Sequence, residues 1–321
     1  QSAEFWRRQR GYTVAKRRES IYNGIIIVNK PADFTSFDVV AKLRGILHER
    51  RIGHGGTLDP MATGVLPVFV GGATKAADFA AAQSKGYTAG FVLGHSTDTQ
   101  DSTGSVLVRS GRTADKASVQ AAVDAMRGEQ MQLPPMYSAI QIDGQRLYDL
   151  ARKGVEVERE RRRIVVHEAQ LLDFDEDSQQ GHLRVVCSKG TYVRTLCHDL
   201  GETLGTLATM TSLVRTSSGA YALEQAHTLE EIQSAVQDGR IHDLILPTDS
   251  LFLEYPAVEI DDEGAARAEH GAFIAPEHTS GLPMQRGVIC RVYYQGVFLM
   301  LGRVDELNRG GLALFQEKRF R

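Results

Sequence analysis

Residues 53–64, GHGGTLDPMATG, set one carboxylate, Asp59, among glycines and ahead of a proline. Asp-Pro drives the residue before the ring out of helical backbone, and Gly53, Gly55 and Gly56 permit tight backbone approaches, so Asp59 is expected in a turn. Two roles are open to it. A short loop carboxylate commonly bonds to neighbouring amides. The apolar run VLPVFV that follows (65–70) would also anchor the turn rigidly, and a carboxylate held against a desolvated surface can act as nucleophile or base.

Three further residues suit a nucleobase ligand. Tyr87, in KGYTAGF, stands at the start of an expected strand and offers a ring face with a hydroxyl. Tyr192 and Arg194, in SKGTYVRTL, are expected to alternate along one strand and so face the same side. An arginine facing Asp59 would hold it ionised and fix its direction. Stacking beside a buried charge pair is what a flipped base would meet. The plainer alternative makes Tyr87 and Tyr192 half-buried core aromatics and Arg194 a structural ion-pair member.

Other chemistries lack their residues. GHGGTLDPMATG has no terminal Gly-Lys-Ser/Thr, GGATK has the wrong spacing for a phosphate loop, and no GxGxxG occurs in this segment. Cys187, Cys197 and Cys290 form no CxxC pair, which suits a reducing cytosol. His48 and His54 lack a partner pair, and His182 and His198 stand alone, so neither a metal nor a cofactor is expected.

The elements that must position these residues follow from pattern. NGIIIVNKP (23–31) reads as a buried strand ended by Lys-Pro. A helix follows in TSFDVVAKLRGIL, with Thr35 or Ser36 as N-cap and Phe37, Val40, Leu43 and Leu47 on one face. Helices are also expected over 73–83, near 115–127, in LYDLARKG and over 228–238, with strands in KGYTAGFVLG, VLVRS and RRIVVHEAQLLDF. GHLRVVCSKGTYVRTLCHDLGETLG reads as a strand running into a helix, and TSLVRTSSG (211–219) as a short polar-framed segment. Interspersed strands and helices make residues 21–250 an α+β core on a mixed sheet, with a small β-rich domain over 251–321.

The chain has 321 residues, 42% hydrophobic and 24% charged, with no run long enough to span a membrane and no secretory leader pattern. Its net charge of −3 is uneven: residues 1–200 carry +4 and residues 201–321 carry −7. Basic residues cluster in a loosely attached arm at 1–20 and at Arg159, Arg161, Arg162 and Arg163. Phosphates respond to such local charge, although a solvated arginine-rich surface gives the same pattern.

In order and spacing, GHGGTLDPMATGVLP with GGATK, NGIIIVNKP, KGYTAGF with STDTQDSTG, LPPMYSAIQIDGQRLYDLARKG and CSKGTYVRTLCHDLGETLG resemble the TruB family of tRNA pseudouridine-55 synthases, over about residues 21–219. The resemblance implies the pseudouridine synthase fold, a mainly antiparallel mixed sheet with flanking helices, followed by a PUA-like β domain. It implies cofactor-free isomerisation of one uridine in the tRNA T-stem-loop: the base flips out, its glycosidic bond breaks, it turns, and C5 joins the ribose. Asp59 then resembles the essential nucleophile or base, Tyr87 the tyrosine stacked on the base and Arg194 the arginine paired with the carboxylate. Tyr192 and Leu213 resemble pocket walls, His54 the histidine beside the flipped nucleotide, and Lys30 a support for the first motif.

Residues 134–163 resemble an RNA-gripping insertion, with Arg146, Arg152, Lys153, Arg159, Arg161, Arg162 and Arg163 as backbone contacts, joined by Arg215. Many members carry paired arginines where this chain has Val214 and Arg215, and a histidine before Leu213 is absent here. A stand-alone, monomeric, cytoplasmic enzyme without an obligate protein partner is the implied reading. The alternatives are a guide-RNA-dependent synthase subunit and a non-catalytic tRNA chaperone.

Overall fold

The computed structural model describes residues 20–320, except positions 139, 143 and 309 and the side chain of Arg146. The basic arm expected at 1–20 therefore lies, Ser20 aside, outside the described residues.

A nine-stranded mixed sheet carries the site. Its path runs Gly24–Lys30, Thr63–Val70, Ala208–Ser218, Lys85–Leu93, Gln180–Cys187, Arg162–Asp175 and Gly128–Gln132. Ile52–His54 pairs beside Thr63–Val70, and Tyr221–Ala222 beside Ala208–Ser218. Neighbours are antiparallel except Ala208–Ser218 against Thr63–Val70. The first two strands on the path are buried on both faces, which explains why IIIV and VLPVFV read as unbroken apolar runs. On one face they meet the helices Ser36–Leu47 and Leu229–Gln237. Phe252, Leu301 and Phe320, from the C-terminal part of the chain, cover the other.

The helix Ser36–Leu47 starts at Thr35, whose hydroxyl accepts from the Asp38 amide at 3.0 Å while Asp38 accepts from the Thr35 amide at 2.8 Å. Its buried face is Ser36, Val39, Val40, Leu43 and Leu47. Phe37 was expected on that face; it lies one residue out of phase and is 62% exposed.

Two expectations near the site need correction. Tyr192 and Arg194 do not alternate on a strand. The strand ends at Cys187, and Thr191 Oγ1 closes the following turn on the Ser188 carbonyl at 2.9 Å. Tyr192 becomes the N-cap, and Arg194 falls in the first turn, of the helix Val193–Leu204. That helix approaches the sheet so closely that a Cβ on Gly201 would stand 2.1 Å from the Ala208 nitrogen. TSLVRTSSG is likewise part of a long interior strand, Ala208–Ser218. Its small polar residues fit against glycines of the neighbouring strand, and Ser212 Oγ accepts from the Gly90 amide at 3.2 Å.

The C-terminal segment forms its own five-stranded sheet, ordered Thr279–Ser280, Ala257–Ile260, Ile289–Tyr294, Val297–Glu306 and Leu312–Arg319.

Candidate active site

Asp59 lies in the turn between Ile52–His54 and Thr63–Val70. One upstream segment holds the chain on both sides of it. Before it, the Leu58 amide donates to Ser36 Oγ at 2.9 Å. After it, the Pro60 carbonyl accepts from the Asp33 amide at 2.9 Å and from Lys30 Nζ at 3.0 Å. Lys30 is fully buried and also donates to the carbonyls of Pro31 and Phe34, at 2.7 and 2.5 Å. Burial pulls its ammonium down to about 8, against the attraction of Asp33 and Asp59. Main-chain groups, Ser36 and Lys30 thus position the turn, and the Asp59 carboxylate is not spent on doing so.

That carboxylate faces Arg194 Nη1 at 3.3 Å. The same nitrogen lies 3.4 Å from Asp101 Oδ2, and Arg194 Nη2 donates to the Tyr137 carbonyl. Arg194 and Asp101 are both buried, whereas the Asp59 side chain is 32% exposed and open to a ligand. Asp101 Oδ1 accepts from the Thr99 and Thr103 hydroxyls and from the Thr103 amide. Burial raises the Asp59 pKa above the usual carboxylate value; Arg194 opposes the shift and Asp101 adds to it.

Asp59, Tyr87, Tyr192, Arg194 and Leu213 all line one cavity of about 280 Å³. Tyr87 is a register partner of Arg215 on the adjacent strand, and the two side chains interact electrostatically. Burial raises the Tyr87 phenol, with Arg215 opposing. Tyr192 is clamped by the buried Gln132 amide, which donates to its carbonyl at 3.0 Å and accepts from its amide at 2.8 Å. The Arg194 guanidinium lies 5.6 Å from the Tyr192 ring centroid.

Other expected residues fall elsewhere. Lys30 stands behind the Asp59 turn, and His54, at the end of its strand, does not line this cavity. Burial, then Arg215, lowers the His54 pKa. Arg215 was expected on the RNA backbone, but it is 1% exposed and bonded to the carbonyls of Val65, Thr57 and Gly56, so it meets no phosphate on the surface. In the insertion, Arg152 and Lys153 are exposed, with Arg152 4.5 Å above the Tyr148 ring. Arg159 is largely covered, donating to the Pro134 carbonyl and to Glu156. Arg161, Arg162 and Arg163 are exposed, and Arg163 pairs with Glu129. The Arg146 side chain lies outside the described residues.

Asp101, Lys85 and Gln132 are site residues that sequence reasoning missed. Asp101 belongs to the polar stretch STDTQDSTG, and Lys85 precedes Tyr87 by two on the same strand face, which was the available signal. Gln132 carried none. Among the described residues, no group of three or more His, Cys, Asp and Glu side chains could hold a metal ion.

Residues 44–193 match the TruB family pseudouridylate synthase N-terminal domain, and residues 194–253 match the tRNA pseudouridylate synthase B C-terminal domain. The chain belongs to the TruB family. It is 43% identical over 260 residues to a tRNA pseudouridine synthase B of Bacillus thuringiensis (strain Al Hakam), covering 79% of this chain and 85% of that protein. A Geobacillus thermodenitrificans relative of the same name is 40% identical over 258 residues, covering 78% and 85%. Among solved structures, a Cbf5-Nop10-Gar1 complex contains a chain with TM-score 0.71 and 27% identity, covering 93% of this chain and 85% of that one. An H/ACA RNP bound to a substrate RNA containing 2′-deoxyuridine gives TM-score 0.70 and 25% identity, with the same coverage. The α+β pseudouridine synthase fold is therefore common to this chain and to relatives in larger assemblies.

Proposed function

We propose that this chain is a tRNA pseudouridine synthase that isomerises the T-loop uridine at position 55. The observation that carries this reading is the partly exposed Asp59 carboxylate, paired with buried Arg194 in a cavity walled by Tyr87, Tyr192 and Leu213. Isomerisation needs a reagent beside the ribose and walls that keep the freed base from leaving, and this cavity offers both. Asp59 is the nucleophile or base, and Arg194 favours its ionised form against the stronger pull of burial. Tyr87 presents its ring to the flipped base, Leu213 packs against it, and Tyr192 closes the wall. Lys30 supports the reagent turn, and His54 acts outside the cavity, against the nucleotides beside the flipped one.

The catalytic unit is taken as residues 21–250, with the insertion at 134–163 as an RNA grip, and 251–321 as a positioning β domain. Arg152, Lys153, Arg161 and Arg162 are the exposed cations available to phosphates. Reversing their charges should weaken tRNA binding and flatten its salt dependence; an unchanged slope would remove the assignment. The protein acts alone, as a monomer in the cytoplasm.

The deciding experiment is tritium release from C5-labelled uridine in unmodified tRNA transcript, comparing the parent with Asp59→Asn. C5 gives up its hydrogen when the new carbon–carbon bond forms. Release by the parent, lost in the variant while tRNA still binds, supports the reading; equal release by both removes Asp59 from its role. The structural likeness to chains in H/ACA assemblies favours guide dependence as a second reading. Activity on bare transcript without guide or partner excludes it, and a folded, tRNA-binding parent without activity moves the weight to guide dependence or to a tRNA chaperone.

A further inference from the structure

Two cations in the cavity wall have no part in the reading above. Lys85 and Arg215 line the cavity and are 6% and 1% exposed. Lys85 Nζ donates to the carbonyls of Ala80, Ala81 and Gln83, at 3.2, 2.7 and 2.5 Å. Arg215 donates to the carbonyls of Val65, Thr57 and Gly56, at 2.6, 3.4 and 3.2 Å, and interacts electrostatically with Tyr87.

Among the described residues, neither has a carboxylate partner. The ionisable groups that bear on Lys85 are Arg215, Cys187 and Lys189, and those that bear on Arg215 are Tyr87, Lys85, Lys30 and His54, none of them a carboxylate. The two cations are also close. A Cβ built on Gly56 would stand 3.7 Å from Lys85 Cε and 3.8 Å from Arg215 Nη1. Carbonyl dipoles satisfy the hydrogen bonds of a cation but carry no net charge, so two positive charges remain buried side by side. Buried charges are ordinarily paired, as Arg194 is with Asp59 and Asp101. Unpaired charge in a cavity wall is suited to a ligand that becomes negative there.

We propose that Lys85 and Arg215 hold the negative charge that develops on the nucleobase when its bond to ribose breaks. This rests on the pseudouridine synthase reading. When C1′–N1 breaks, the electron pair stays on N1 and the base becomes a uracil anion. Asp59 loses its own negative charge in the same step, either by bonding to C1′ or by accepting a ribose proton. Rotation brings C5 to the sugar carbon, and the pair forming C5–C1′ comes from the anionic ring. Asp59 recovers its charge, the C5 proton leaves, and N1 takes up a proton, so the net change is isomerisation. Between those events the only new negative charge is on the base, beside two cations whose hydrogen bonds are already made. No reorganisation is then needed to receive it.

The test measures single-turnover glycosidic cleavage in tRNA carrying uridine or 5-fluorouridine at the target position, in the parent and in Lys85→Gln. The amide retains a donor for a nearby carbonyl and removes the charge. Cleavage of the uridine substrate should fall about 100-fold. With 5-fluorouridine, whose base bears negative charge more readily, the loss should be clearly smaller. Equal losses would overturn the proposal, because a merely structural lysine affects both substrates alike. Lys85→Met serves as a second uncharged variant. A parent that releases no tritium from ordinary uridine would instead remove the synthase reading itself.

Discussion

Asp59 shares one guanidinium with Asp101, and that sharing governs how it titrates. Burial and Asp101 raise its pKa while Arg194 lowers it, so a reaction that needs the carboxylate loses rate as pH falls through that raised value. Arg194→Gln removes the opposing attraction. The acid limb of kcat/KM should then move to higher pH, with a loss of at least about tenfold at neutral pH; an unmoved limb would dissociate Arg194 from Asp59's ionisation. The stability consequence has the opposite sign to that of an ordinary salt bridge. A carboxyl with a raised native pKa binds its proton more tightly when folded, so its contribution is best at low pH and is lost as pH rises through the raised pKa. Asp59→Asn leaves Arg194 paired with Asp101. It should therefore melt above the parent at neutral pH, and the difference should close on acidification. Thermal melts across pH read this directly.

At the scale of elements, the reagent turn has few bonds of its own and depends on the segment Lys30–Ser36. Ser36→Ala leaves the buried Leu58 amide without its acceptor, a cost of roughly 1–3 kcal/mol, and frees the residue before Asp59. The expected kinetic signature is a larger fall in kcat than rise in KM, because the substrate walls stay in place; the reverse split would make the contact merely structural. This dependence also marks where sequence reading stopped. The strand at 24–30 and the helix from Ser36 were legible because burial and capping write themselves into neighbouring residues. That Ser36 reaches Leu58 across 22 positions was not, since no local pattern records it. TYVR looked like a strand because its residues favour extended backbone, and the close seat against Ala208 helps make it a helix instead. Arg215 is set on the RNA backbone by the resemblance of its segment to the family's paired arginines; only the packed strands reveal three carbonyls waiting for it.

Across the whole molecule, the C-terminal sheet keeps its own strand order but shares a core with the catalytic sheet. Phe320 is 2% exposed and packs with Phe79, Phe252 and Phe298, at ring separations of 6.4, 5.5 and 5.4 Å. Phe79 stands on the helix Ala77–Ala82, whose carbonyls Lys85 holds and whose Ala81 lines the cavity. The small domain therefore braces the site from behind. Phe320→Ala should cost about 3–5 kcal/mol. Because the cluster spans both sheets, the parent should unfold in one calorimetric transition; two well-separated transitions would show that the shared core does not couple them.

Lys30, Lys85 and Arg215 have one thing in common that reaches beyond this chain: nearly every acceptor they use is a peptide carbonyl. A main-chain acceptor is present whatever side chain its residue bears. Val65, Thr57, Ala80 and Gln83 can therefore mutate without altering the bond they accept, and no compensating change is demanded of the cation. Arg194 answers to side chains, Asp59 and Asp101. Across lineages, substitutions at 59, 101 and 194 should thus be correlated, whereas those three other cations should leave no correlated partner in the evolutionary record.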